Sequence, residues 1–243
     1  MEPVSVHIPM KLGETEITIH LYEKEGLDIT FVHLHGDEPT AHDAAIETVD
    51  AIGGRVLRFI HADKRFIEFE LEGVRYSFDP NRMFTSKGIK ETLHTTNKYT
   101  DVGNYSHAAH LLVAEFAREI KKQFLFRAKG IVAVHNNSDG DYHAGFYAPG
   151  GKFAHEALSY NLKDGTPKEN FFFVTDADHF CDLVDSGCNA VLQDNAAATD
   201  DGSLSVFCAQ QRIPYINCEA EIGHHDAQVD MLIKAAWLLA GEK

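Results

Sequence analysis

The stretch His33-Leu34-His35-Gly36-Asp37-Glu38-Pro39-Thr40 follows directly on the apolar run ITFV. Imidazoles and carboxyls crowded at the end of a strand-like run can ligate a metal. His35 and Glu38 have the spacing His-x-x-Glu, with His35 at the strand exit and Glu38 opening a helix. Gly36 and Pro39 suit the tight turn that would focus both side chains on one point. A second short apolar run, GIVAVHNN, ends in His135. Two imidazoles, a carboxylate and a position left to water form the ligand set of a catalytic zinc, whereas magnesium takes carboxylates and carbonyls more often. One Zn²⁺ held by His35, Glu38 and His135 is therefore expected. His33 is assigned to packing or hydrogen bonding beneath the site, and His42, on the first helix, to solvent.

Other groups offer the remaining chemistry of hydrolysis. RYSFDPNRMF carries Arg75, Asn81 and Arg82. Arg82 can clamp a substrate carboxylate with two prongs, Asn81 beside it, and Arg75 can stabilise a developing oxyanion. In YINCEAEIGHH the alternation puts Asn217, Glu219 and Glu221 on one side of a strand. Either glutamate can serve as general base toward a water. His224 and His225 follow and can orient it, while Asp176 in TDADHFCD reads as a helix cap.

These residues need a scaffold that brings distant strand ends together. The first 25 or so residues alternate as an antiparallel hairpin. Residues 28–34, RVLRFIHA, GIVAVHNN, FFFVTD, NAVLQD, SVFCAQ and PYINCEAE read as further strands. RFIEFELEGVRYSFD reads as a strand pair turning near Gly73. Helices are expected from Pro39 to the Gly53-Gly54 stop, over 105–124, in DHFCDLVDSG, and from about 226 to 240. Residues 138–170 read as long loops. Strands alternating with helices imply an α/β fold: a mixed, largely parallel sheet with helices on both faces. Ligands of such sheets bind beyond the carboxyl ends of the strands.

The ordered motifs His35-x-x-Glu38, Asn81-Arg82, His135 and a late glutamate resemble those of the zinc carboxypeptidase superfamily. Within it HGDE, DPNRMF, VHNN and EIG are similar to segments of the aspartoacylase and succinylglutamate desuccinylase branch. The resemblance spans roughly residues 28–225. It implies His35, Glu38 and His135 as zinc ligands, Asn81 and Arg82 as carboxylate binders, Arg75 at the scissile carbonyl, and Glu221 or Glu219 as base, with EIG favouring Glu221. Tyr142, Tyr147 and Tyr160 match no motif for the tyrosine that carboxypeptidases bring over the substrate. The expected activity is that of a zinc-dependent amide hydrolase. A metallocarboxypeptidase-like peptidase acting on a small peptide comes first, and an N-acyl amino acid deacylase is the alternative. The short chain after the glutamate and the long loops imply an open site.

Bulk properties bound the reading. The 243 residues, 44% hydrophobic and 24% charged, suit one domain over 1–243. A net charge of −15 argues against nucleic acid and against an electrostatically held membrane-surface protein. No apolar run approaches the ~18 residues of a membrane span. The N-terminus shows no signal-peptide pattern, and Cys181, Cys188, Cys208 and Cys218 form no CxxC pair. A reduced cytoplasmic protein is expected, with a processed exported form as the alternative and the oligomeric state open. Two other readings are a binding protein on the same fold without catalysis, and a metal-free Ser or Cys hydrolase, for which no G-x-S-x-G elbow is present.

Overall fold

The computed structural model describes residues 2–98 and 105–241. A hairpin of β1 (Val4–Leu12) and β2 (Thr15–Lys24) leads to β3 (Thr30–His33), α1 (Pro39–Ile52) and β4 (Gly54–Ile60). A second hairpin, β5 (Ile67–Leu71) and β6 (Val74–Phe78), precedes α2 (Ser86–Lys98) and α3 (His107–Ile120), the latter extended by a π-turn over Lys121–Leu125. Then come β7 (Ile131–Asn137), β8 (Ala157–Asn161), β9 (Phe171–Val174), α4 (Ala177–Asp185), β10 (Ala190–Gln193), α5 (Leu204–Gln211), β11 (Tyr215–Glu221) and α6 (His225–Ala240). No helix among the described residues is long and apolar enough to cross a membrane.

Among the described residues, nine strands form one mixed sheet in the order β1-β2-β4-β3-β7-β11-β9-β10-β8. Its centre, β4-β3-β7-β11, is parallel throughout. Both faces are covered, as a central parallel sheet requires: all four residues of β3 are buried, and β7 is buried at six of its seven positions. Apolar side chains of α1, α4 and α6 pack with Phe31, Val132 and Ile216 on one face. Those of α2, α3 and α5 pack with Val32, Leu57 and Ala133 on the other. Because the central strands run the same way, the exits of β3, β4, β7 and β11 open at one edge of the sheet.

Three local expectations are corrected. SVFCAQ is the helix α5, not a strand. Ser203 caps its start by accepting from Val206 N, and Leu204 to Cys208 are all buried, so the run is apolar without a periodicity that separates helix from strand. Residues 86–98, not expected as an element, form α2. Its inward face carries Thr92, Thr96 and Asn97 beside Ile89 and Leu93, so hydrophobic spacing does not reveal it. Within the stretch read as loops, β8 pairs antiparallel with β10 as an edge strand.

Gly88 inside α2 meets Gly202, and a Cβ at Gly88 would lie 2.3 Å from Gly202 Cα and 2.6 Å from the Arg82 carbonyl oxygen. Gly88→Ala is expected to destabilise the fold by about 1–3 kcal/mol, seen as a lower urea midpoint at unchanged slope.

Candidate metal centre and cavity

The turn after β3 is set by contacts as much as by sequence. Gly36 N donates to the Lys64 carbonyl (2.9 Å), and a Cβ on Gly36 would fall 2.2 Å from the Ala62 carbonyl oxygen. Glycine thus lets the loop leaving β4 press against the loop leaving β3. Pro39 occupies the first turn of α1, and Glu38, at the cap position, makes no side-chain cap bond. Its carboxylate turns instead to the imidazoles. His35 Nδ1 donates to Glu38 Oε1 (2.8 Å) and His135 Nδ1 to Glu38 Oε2 (2.9 Å). All three side chains are buried, and one ligand atom from each lies within 4.8 Å of the others. His33 sits beneath, its Nε2 donating to the Glu38 carbonyl (2.9 Å); burial pushes its pKa down to about 3.

The outer face of His35 is held by Asp79, which accepts from His35 Nε2 at 2.8 Å. Asp79 is fixed in turn by α2, its N–H donating to Thr92 Oγ1 (2.8 Å), and by Asn81 N, which donates to its Oδ1 (2.8 Å). Burial opposes charge on His35, but the carboxylates of Asp79 and Glu38 outweigh it and push the imidazole up to about 9. Burial likewise opposes charge on Glu38, yet His135 and His35 hold its carboxyl well below the usual range. Behind His135, the fully buried Gln228 of α6 donates from Nε2 to the His135 carbonyl (2.9 Å) and accepts from Asn136 Nδ2 (2.9 Å). Asn136 Oδ1 accepts from Ala41 N at the start of α1 (2.8 Å). One chain of hydrogen bonds therefore ties the segment of His135 to α1 and α6.

Cross-strand register sets the next residue. Glu219 of β11 lies opposite His135 of β7 and is buried. Asn217 Nδ2 donates to its Oε1 (3.0 Å) and Asn137 Nδ2 to its Oε2 (3.4 Å). Burial raises its pKa, the field of His135 opposing. Glu219 lines a cavity of about 570 Å³ together with His35, Glu38 and His135. Glu221 does not line it. It lies two residues on, opposite Asn137, with a partly exposed side chain 3.6 Å from His224 Nε2. Of the two glutamates it is therefore Glu219, not the Glu221 of the EIG motif, that faces the cavity, and His224 accompanies the outer one.

Asn81 and Arg82, in a short 3-10 turn, both line the cavity. Arg75 does not come to it. It lies in the exposed first part of β6, its side chain 58% exposed and 3.9 Å from Glu70. It precedes Asp79 by four residues, roughly 13 Å of extended chain. The arginine beside the His-Glu-His cluster is Arg65, brought by the loop after β4, with Nη1 3.5 Å from Glu38 Oε1 and Nη2 3.3 Å from Asp79 Oδ2. The rule of inspecting strand exits, applied to RVLRFIHADKR, finds it. Asp79 stands in the DPNRMF segment itself, immediately before the residues singled out there. Tyr142 and Tyr147 line the opposite wall with Phe153, their hydroxyls 2.6 Å apart, whereas Tyr160 lies on β8 outside it. His42 is partly buried rather than in solvent, its ring 5.6 Å from that of His33.

Fold and site together define an α/β protein with a His-Glu-His cluster and a buried carboxyl at the exits of a parallel sheet centre, opening into one cavity. The donor set fits a metal of the zinc type: two nitrogens and a carboxylate converge, and Asp79 occupies the far nitrogen of His35, leaving Nδ1 for ligation. No family model and no curated protein matches the sequence. Solved structures do. A succinylglutamate desuccinylase/aspartoacylase from Rhodobacter sphaeroides is 12% identical with a TM-score of 0.47, over 98% of this chain and 65% of that one. A candidate metallopeptidase from Shewanella denitrificans is 15% identical with a TM-score of 0.44, over 96% and 82%. A second, from Shewanella amazonensis, is 12% identical with a TM-score of 0.41, over 97% and 85%. The chain thus spans just under two thirds of the length of the Rhodobacter protein.

Proposed function

We propose that the protein is a zinc-dependent amide hydrolase for substrates with a free carboxylate, a metallocarboxypeptidase-like peptidase before an N-acyl amino acid deacylase. The observation that carries this is the convergence of His35, Glu38 and His135 with the buried Glu219 on one cavity. His35 and His135 would hold the ion through Nδ1 and Glu38 through its carboxylate. Zinc bound there supplies Lewis acidity and a water acidic enough to react near neutral pH. Glu219 takes the proton of the attacking water and returns it to the leaving nitrogen. Asn137 and Asn217 keep its carboxylate aimed. Arg65, beside Glu38 and Asp79, would take the part expected of Arg75 and stabilise the oxygen that gains charge. Arg82 and Asn81 bind the carboxylate. The cavity volume falls in the range of small-ligand sites, roughly 300–1,000 Å³.

The test is hydrolysis of parallel panels of dipeptides and N-acyl amino acids by zinc-loaded protein, before and after exhaustive chelation. Activity that chelation abolishes and zinc restores is expected, and activity that survives chelation overturns the reading. Cleavage of N-acyl amino acids without cleavage of peptides reverses the order of the two activities. Asp79→Asn is expected to weaken zinc binding by roughly 10–100-fold, measured by competition with a chromophoric chelator.

A further inference from the structure

The end of the cavity that would bind the carboxylate carries an anion of its own. Arg82 Nη1 donates to the Asn81 carbonyl (2.8 Å) and faces Asp201 Oδ2 at 3.4 Å. Both side chains line the cavity and are little more than one-third exposed. Asp201 is anchored at one oxygen: its Oδ1 accepts from Ser203 N (2.9 Å), which leaves Oδ2 for Arg82 and the cavity. Asn81 is fixed the same way, its Oδ1 accepting from Leu204 N (3.0 Å), so the group it can offer is its amide NH₂. The face presented to a ligand is therefore two donors, from Asn81 and Arg82, beside one anionic acceptor. Glu156 adds a second carboxylate to the wall. A ligand bearing only carboxylates meets the donors but is repelled by Asp201. A ligand with a carboxylate and a cationic nitrogen close together satisfies all three groups.

We propose that Asp201 makes this site selective for amides of diamino acids, in which an ammonium group stays free near the free carboxylate. This rests on the hydrolase reading for the seating of the carboxylate on Arg82 and Asn81. The ammonium has two chemical sources. It is the α-ammonium when the scissile amide is on the side chain, and the side-chain ammonium when the amide is on the α-nitrogen. The 3.4 Å spacing of guanidinium and carboxylate favours the first, since both charges then sit on one α-carbon. N-acyl dicarboxylic amino acids are excluded by the same charge.

The test is calorimetric binding to zinc-saturated Glu219→Gln protein, which does not consume its ligands. The probes are Nε-acetyl-lysine, Nα-acetyl-lysine, Nα-acetyl-norleucine and Nα-acetyl-glutamate. The expected affinity order is the order given, the first exceeding norleucine by roughly tenfold or more and glutamate binding most weakly. Asp201→Asn keeps the oxygen that accepts from Ser203 and is expected to level the lysine derivatives with norleucine and to raise glutamate. Nα-acetyl-lysine in first place assigns the ammonium to the side chain and keeps the role of Asp201. Acetyl-glutamate binding as well as the lysine derivatives to the unsubstituted Asp201 site overturns the proposal, as does an order unchanged by Asp201→Asn. The hydrolase reading fails separately: if wild-type protein cleaves none of these amides and no peptide while the binding order holds, the selectivity stands without the activity. If it cleaves them without the ranking, the selectivity falls alone.

Discussion

His35→Ala and His135→Ala are each expected to abolish stoichiometric zinc binding and, with it, all zinc-dependent turnover. Each removes one of three converging protein ligands. The loss should exceed well beyond the roughly 10–100-fold that changes to outer hydrogen-bond partners cost. The measurement is metal content after dialysis against a chelator of known affinity, with circular dichroism to show that the sheet is intact. The two variants differ in their side effects. Without His35, the buried Asp79 loses its 2.8 Å imidazole partner and keeps the Asn81 N–H and Arg65 at 3.3 Å; a buried carboxylate that loses such a partner costs on the order of 1–3 kcal/mol. Without His135, Glu38 loses one of two imidazole donors, while the Gln228 bond to the backbone carbonyl at 135 remains. His35→Ala should therefore be the less stable protein when both are metal-free. Wild-type zinc content in either variant refutes the ligand assignment.

The turn that carries His35 and Glu38 was legible because sequence punctuation and side-chain type coincide in it. An apolar run, a glycine and a helix-opening proline fix where β3 ends and α1 begins, and His35 and Glu38 fall at those two points. The amphipathic helices and the alternating hairpins were legible for the same reason: one period decides them. What escaped depends on pairing across the chain. Alternation puts Glu219 and Glu221 on one face of β11, but only the register Glu219 to His135 says which shares the level of the His-Glu-His cluster, and that register depends on pairing across the chain. Arg75 and Arg65 are a similar case. Both lie near strands, but Arg75 sits at the start of the second strand of its hairpin, beside the turn, while Arg65 follows a strand parallel to β3 and so emerges at the same edge. The polar inward face of α2 hides a helix whose task is to hold Asp79 through Thr92, a role that hydrophobic spacing does not report.

Glu219→Gln is expected to lower kcat by a hundredfold or more, in keeping with the roughly 10²–10⁴-fold that a positioned proton-transfer group contributes, while zinc content and KM change little. Glu221→Gln is expected to leave all three near wild type. The asymmetry follows from surroundings, since the residues are identical in type and two positions apart. Glu219 is buried, accepts one amide N–H on each oxygen, and sits where burial raises its pKa, which strengthens it as a base toward water. Glu221 is partly solvated beside His224 and outside the cavity. The glutamine amide at 219 keeps the volume and can still accept a hydrogen bond from Asn217, so the fold is preserved and lost turnover reports on the missing proton acceptor. The pair of variants separates the glutamate that the motif favours from the one that faces the cavity. If Glu221→Gln removes activity and Glu219→Gln spares it, the end of β11 must shift by two residues on binding substrate, carrying Glu221 to the level of His135. If both spare it, no carboxylate of β11 takes the proton, and the hydrolytic base must be sought elsewhere in the cavity wall.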